Sequence, residues 1–352
     1  MSDAHLAAPS YPKEGHADLI VDIGGTKVLV ALGTAGRVLD RARLPTSGWP
    51  TSADLVAAVA GAALDLAGRN GVELRAALVA VPGTIDRAAG TVVSAANLPF
   101  RRFPLAASLS QGLDGLEVVI EDDANCGVLG EAAFGSARGS DDAVYVTLST
   151  GIGMGALVNG RLVRGGHGAA GELGHILVVR EGRLCGCGRR GCLEAYASGS
   201  GIAGQGRELL AAGGAPVLAA AVAGPDAVTA REVIAAAAAG DADCAAVLAG
   251  AVELFGDALR TVRCVLDPEV VVLGGGLMSN PAFAGLALSA VGTLGAVSVL
   301  DAVGGLGGDA SPEAGDPSVR AGALGDDSVV LGGLHLLATQ HRLALDPQGA
   351  TT

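Results

Sequence analysis

Positive charge is scarce in this chain of 352 residues: lysine and arginine number 23 against 36 aspartates and glutamates, a net charge of −13. The only lysines are Lys13 and Lys27. Nucleic-acid binding draws its affinity from Lys and Arg set against phosphates, and a polybasic membrane-surface segment needs the same residues. Neither a nucleic-acid nor a membrane partner is expected. Aromatic residues make up 3% of the chain, with Trp49 the single tryptophan, so a core has to be assembled from alanine, valine and leucine. The first twenty residues hold Asp3, Lys13, Glu14 and Asp18 and lack the apolar stretch of a signal peptide, which makes a cytoplasmic location the expectation. No G-x-x-x-x-G-K-[ST] occurs, and this excludes a P-loop. The uncharged run between Glu269 and Asp301 is broken by Gly274–Gly276 and Pro281, so it reads as a buried strand, a glycine turn and a buried helix rather than a membrane span.

Half of the residues are hydrophobic and 17% charged, enough apolar surface for a sizeable core, and the length suits about two domains. After a polar tail over 1–16, the runs Asp18–Ile23, Val28–Leu32 and Arg37–Arg43 predict an antiparallel meander, followed by a helix from Ser52 to Arg69 that Asn70-Gly71 stops. Strands at Ala77–Val81 and Leu116–Glu121, the second running into a helix from Asp123, indicate an α/β domain over 17–125. A larger α/β domain is expected over 126–327. It opens with the strand Ala143–Leu148 and a hairpin at Asn159-Gly160, and helices dominate from Glu194 to Leu266. Residues 302–319, rich in Gly, Asp and Pro, predict an exposed insertion, and a last helix, about 328–340, is expected to return to the first domain.

Glycine numbers 56, about twice the ~7% typical of proteins, and three glycine turns stand at strand ends. In Asp22-Ile23-Gly24-Gly25-Thr26-Lys27 a tight turn lets backbone N–H groups approach a phosphate, with the Thr hydroxyl and Lys ammonium adding to the cradle. An ordinary hairpin turn is the plain alternative. Ser149-Thr150-Gly151-Ile152-Gly153 also fits the dinucleotide pattern G-x-G-x-x-A with Ala156, but that pattern needs a helix next and a strand is predicted. Gly274-Gly275-Gly276 suits close approach of a flat ligand such as adenine, or a tight strand-to-helix connection.

Six cysteines occur, and Cys185, Cys187 and Cys192 fall within eight residues. With His175 they give H-x9-C-x-C-x4-C, three thiolates and one imidazole suited to a closed, structural tetrahedral Zn²⁺ site. Cys126, Cys244 and Cys264 lie in apolar helices and are expected in the core. Asp122-Asp123 stands at a strand-to-helix junction, where helix capping is the plain reading. Glu172 and Glu194 flank the cysteine loop, where a zinc knuckle could hold both carboxylates rigid for hydroxyl recognition.

In order and spacing, Asp22–Lys27, Pro82-Gly83, Asn97-Leu98, Glu121–Asn125, Leu148–Gly155, Gly171–His175, the cysteine run with Glu194, and Gly274–Gly276 resemble the ROK family of sugar kinases and repressors, in particular its zinc-containing bacterial glucokinases. The resemblance spans about residues 18–340. It implies an actin-like ATPase (ribonuclease H-like) fold of two α/β domains around a central cleft, and ATP-dependent phosphorylation of a hexose, most simply glucose. It further implies ATP, Mg²⁺ and structural Zn²⁺ as cofactors and a homodimer or homotetramer. Asp123 matches the catalytic base. Gly83, Asn97, Asp122, Glu172, His175 and Glu194 match sugar-binding positions. Asp22, Gly24, Gly25, Thr26, Lys27, Ser149, Thr150, Gly151, Gly153 and Gly274–Gly276 match those facing ATP. The family usually has Asn where this chain has Asp122, which leaves the identity of the hexose open, and two adjacent carboxylates should raise one pKa. N-acetylglucosamine, N-acetylmannosamine and mannose are the alternative substrates. A repressor or a silent sugar sensor is disfavoured. The predicted first strand leaves no room ahead of it for a DNA-binding segment, and Asp123 and both phosphate loops are present.

Overall fold

The computed structural model describes residues 15–34, 36–95, 98–292 and 318–345. Asn97, nearly all of the polar tail and nearly all of the 302–319 insertion lie outside the described residues. The chain divides into two compact units. The first takes the described parts of Met1–Asp141, Gly155–Gly171 and Ala323–Thr352; the second takes those of Asp142–Met154 and Glu172–Gly322.

In the first unit β1 (His16–Ile23), β2 (Lys27–Thr34) and β3 (Arg37–Pro45) form the expected antiparallel meander. β4 (Glu73–Ala80) joins β1 in parallel. A small sheet of β5 (Thr84–Asp86), β6 (Thr91–Ser94) and β7 (Arg101–Phe103), not foreseen from the sequence, precedes β8 (Val118–Glu121), which completes the main sheet in the order β3-β2-β1-β4-β8. Successive strand residues point to opposite faces, and here both faces are buried. Leu19, Val21, Val28 and Val30 pack with residues of α1 (Ser52–Asn70) and α2 (Leu105–Gly112). Ile20, Leu29, Leu78 and Ala80 pack with Cys126 of α3 (Asp123–Phe134) and with Val330, Leu334 and Leu337 of the last helix, α10 (Asp327–Leu345).

Local chemistry fixes the helix ends. Thr51 and Asp54 form a capping box at the start of α1, and Gly71 ends it at φ 61°. α3 and α10 meet through glycines: a Cβ on Gly332 would strike the Cys126 carbonyl, and one on Gly130 the Ser328 carbonyl. Beside them the buried Glu131 accepts from the N–H groups of Ser136 at 2.8 Å, Ala323 at 3.2 Å and Leu324 at 3.2 Å, and from Ser328 Oγ at 2.7 Å. Its carboxylate thereby ties the start of α10 to α3.

The second unit is built on β9 (Ala143–Leu148), which leads through a turn into β10 (Ile152–Val158). The end of β10 belongs to the first unit, where β11 (Arg161–Leu162) pairs with it across the predicted Asn159-Gly160 turn, both residues at positive φ. α4 (Glu194–Ala197), α5 (Gly199–Ala211), α6 (Pro216–Ala221), α7 (Ala230–Ala238) and α8 (Ala242–Leu266) follow, with the Thr229–Glu232 capping box in place before α7. β12 (Val270–Gly274) lies parallel to β9 and to β13 (Val319–Ala321), and α9 (Pro281–Gly292) completes the expected strand, turn and helix. One expectation fails. Cys126 and Cys244 are buried, but Cys264 is exposed, because it falls off the α8 stripe of Leu248, Phe255, Leu259 and Val262 that faces the core. Among the described residues no single helix is long and apolar enough to cross a membrane.

Candidate active site

The β1–β2 glycine turn is held from outside itself. Gly24 N–H donates to the Lys27 carbonyl at 2.9 Å, and the buried Thr46 Oγ1 donates to the Gly24 carbonyl at 2.6 Å while its N–H donates to Thr26 at 3.3 Å. Thr46 follows β3, and three residues later Trp49 donates its indole N–H to the Pro45 carbonyl at 2.8 Å. Lys27 Nζ, at the start of β2, pairs with Asp326 at 2.8 Å.

Strand alternation puts Asp22 on the face of β1 that also carries Ile20, the face covered by α3 and α10. Burial, then the nearby charge of Asp123, push the Asp22 carboxyl up to about 7; Lys27 opposes the shift and Asp326 adds to it. Asp22 and Asp123 therefore repel one another. Asp122 is the N-cap of α3, its Oδ1 accepting from Asn125 N–H at 3.1 Å, as the plain reading of Asp122-Asp123 foresaw. Asp123 occupies the first turn, and its Oδ1 meets Ala124 N–H at 2.9 Å. Gly83 stands at φ 109° with the Ser94 carbonyl where a Cβ would be, so the backbone alone requires glycine there.

In the second unit the turn after β9 is closed by Ser149 N–H donating to Gly151 at 3.0 Å. The start of α5 clamps it, with Gly199 N–H on the Ser149 carbonyl at 2.7 Å and Ser200 N–H on Thr150 at 3.2 Å. β10, carrying Gly153, follows at once, so no dinucleotide-binding helix stands there. Of the third turn, a Cβ on Gly274 would meet the Tyr145 ring, and Gly275, at φ 89°, lies against the backbone of Leu148. Gly276 has Ser149 Oγ 3.5 Å from its Cβ position, which brings the second and third turns side by side.

The cysteine loop assembles as its spacing predicts. The ligand atoms of His175, Cys185, Cys187 and Cys192 all lie within 4.8 Å of one another. His175 Nδ1 is 3.7 Å from Cys185 Sγ, and the Cys187 and Cys192 sulfurs are 3.7 Å apart. A tetrahedron with Zn–S bonds of ~2.3 Å has edges of about 3.8 Å, so both donor set and spacing fit zinc. Burial would raise the Cys187 thiol, but the Arg189 N–H and guanidinium and the neighbouring thiols hold it at about 6. The other ring nitrogen of His175 lies 3.8 Å from Glu172 Oε2, placing a donor beside an acceptor. Glu194 is buried, with Oε2 accepting from Ile152 N–H at 3.1 Å and Oε1 3.9 Å from Cys185 Sγ. One carboxylate therefore connects the zinc loop to the turn after β9.

The model of the ROK family matches residues 19–294. The chain belongs to the ROK family. It is 36% identical over 263 residues to a glucokinase of Halalkalibacterium halodurans, covering 73% of this chain and 79% of that one. It is 34% identical over 261 residues to an N-acetylmannosamine kinase of Citrobacter koseri, covering 73% and 82%. Among solved structures, a ROK family glucokinase of Streptomyces griseus, in complex with glucose and AMPPNP, superposes with a TM-score of 0.73 at 32% identity, over 92% of this chain and 99% of that one. The fold is the actin-like ATPase type that the ROK resemblance implied.

Three residues outside the motifs, together with Glu121 at the edge of one, hold the ROK signature stretches in place. Thr46 fixes the first glycine turn, and the buried Glu121 with the partly exposed Arg87 and Arg164 forms an ionic cluster ahead of Asp122-Asp123. Glu121 stands at a strand end and opens the matching stretch Glu121–Asn125, which gave it no role of its own. A lone threonine or arginine in a connecting segment carries no local pattern.

Proposed function

We propose that this protein is an ATP-dependent hexose kinase that transfers the γ-phosphoryl of ATP to the 6-hydroxyl of glucose, with Asp123 as general base. The observation that carries the reading is the acid pair of the first unit: Asp123 opens α3 close enough to the end of β1 to raise the proton affinity of Asp22, beside a glycine turn built to receive phosphate. Phosphoryl transfer asks a protein mainly for positioning and charge compensation. Asp123 orients the acceptor hydroxyl and takes its proton as the oxygen attacks. Gly24–Lys27 and the turn Ser149–Gly151 with Gly153 offer backbone N–H groups to the phosphates, and Gly274–Gly276 lie beside the nucleoside. Lys27 is held by Asp326, so contact with phosphate would require it to exchange that partner. Mg²⁺ entering with ATP would supply charge neutralisation on the phosphates.

For the sugar we assign Gly83, Asn97, Asp122, Glu172, His175 and Glu194. Zinc held at Nδ1 of His175 would fix the tautomer and leave the other ring nitrogen as a donor. Glu194 has one oxygen committed to Ile152. The N-acetylmannosamine kinase relative supports an acetamido-sugar as the second reading.

ADP release with ATP and Mg²⁺ against a panel of hexoses and N-acetylhexosamines is the test. Turnover with glucose well above the others, lowered about 10³-fold or more in Asp123→Asn while glucose still binds, is the expected outcome. Preference for an acetamido-sugar would overturn the substrate, and wild-type turnover in the variant would remove Asp123 as the base.

A further inference from the structure

A heavily bonded carboxylate of the first unit is none of the three aspartates. Glu121, the last residue of β8, is buried, and its Oε1 accepts from Arg87 through Nε at 2.9 Å and through Nη2. The same oxygen accepts from Asp122 N–H at 2.9 Å and Asn125 Nδ2 at 3.0 Å, while Oε2 accepts from Arg164 Nε at 2.8 Å. One side chain thus bridges the strand end, the helix cap and the first turn of α3. Asn125 gives Nδ2 to Glu121 and finds no donor for its buried Oδ1, so the carboxylate sets the orientation of the amide.

Charge compensation alone does not account for this cluster. One guanidinium neutralises one carboxylate, and an apolar group would pack a buried site at least as well. Here a second arginine is brought from beyond β11, which leaves the trio at a net charge of +1. That surplus lies next to a concentration of negative charge. Glu121, Asp122, Asp123 and Asp22 all act, after burial, to push up the thiol of the buried Cys126, so the charges of all four carboxylates are felt at this one position.

We infer that Glu121, Arg87 and Arg164 are positioning residues for the phosphoryl transfer, holding the first turn of α3 and setting the charge that Asp123 experiences. The inference rests on the reading of Asp123 as the base. Among the described residues, the other charged or titratable groups facing that end of the unit are Asp22 from β1, Lys27 from β2, Asp326 ahead of α10, Asp122 on the same helix end, and Cys126 beneath it.

The signs of the effects separate this role from a structural one. Glu121→Gln removes a negative charge, so Asp123 should ionise more easily and the acid limb of kcat/KM should move down by about 1 pH unit. Arg164→Gln removes a positive charge and should move the limb up by a similar amount. Arg164→Lys restores the charge and should return the limb towards wild type. In both charge-removing variants kcat should fall while KM for sugar and ATP changes little.

Carboxyl ¹³C titration of aspartate-labelled protein reads the same shifts without catalysis, the Asp123 resonance being the one lost in Asp123→Asn. Opposite shifts in the two variants by both methods are the expected result. Opposite shifts in the spectrum with an unmoved rate profile would keep the cluster's role in charge and remove Asp123 as the base. Shifts in the same direction, or none in folded Arg164→Gln, would overturn the inference. Arg164 is a third exposed, so that variant carries the test if Glu121→Gln does not fold.

Discussion

At the scale of single residues, Asp22 couples stability to pH. Its folded pKa of about 7 stands above the ordinary value of 3.8. A carboxyl whose pKa is raised on folding favours the folded state fully below the unfolded pKa, and that contribution is lost as pH rises through the folded pKa. The window therefore runs from about pH 4 to about pH 7. Asp22→Asn should be more stable than wild type above this window by about 2 kcal/mol, the full linkage being reduced because the group is only half-buried. Urea midpoints across the pH range check this, and equal midpoints at about pH 8 would show that Asp22 is not strained in its ionised form. The same variant should lose kinase activity, which separates what the residue does for the fold from what it does for the reaction. A binding partner that brings positive charge should release a proton from Asp22.

At the scale of elements, the α3–α10 contact depends on two residues without side chains. Gly332→Ala places a methyl group against the Cys126 carbonyl, and separating the helices should cost about 3 kcal/mol, roughly 10 °C in thermal midpoint. Gly61→Ala on α1 is the matched control, because no atom lies within 4 Å of its Cβ position. That change should stabilise by about 0.5–1 kcal/mol. If the two variants melt alike, close approach of the helices is not what requires glycine. The elements themselves were largely legible in advance. The meander, α1 and the zinc loop announce themselves through alternation, a helical period with a stop, and metal-ligand spacing, all of which are local. β5–β7 were missed because strands of three or four residues carry too few positions to show a period. Arg87 and Arg164 were missed because their value lies in meeting Glu121 from distant parts of the chain. Cys264 was misplaced because an alanine-rich helix looks apolar all round, and only packing reveals which stripe is inside. Of the candidate site, the motifs gave the acid pair and the turns, while the residues that brace them became visible only with tertiary contacts.

At the scale of the whole molecule, the chain forms two compact units, and the zinc ligands belong to the second alone. Removing zinc by chelation, or by Cys187→Ser, should therefore loosen the segment from Glu172 to Gly201 and abolish turnover, because Glu172, His175 and Glu194 lose their frame. The strands β1 and β4 should keep their protection. Hydrogen exchange on holo and chelated protein distinguishes this from global unfolding, which would expose both units together. One feature of the first unit also offers an optical readout. The protein has a single tryptophan, and its indole is bonded to Pro45, the residue paired with Lys27 at the end of the first glycine turn. Tryptophan emission from this molecule thus comes from one residue, Trp49, bonded beside the turn proposed to receive phosphate. Nucleotide arrival there should change its colour or intensity with no label attached, whereas sugar alone should change it less.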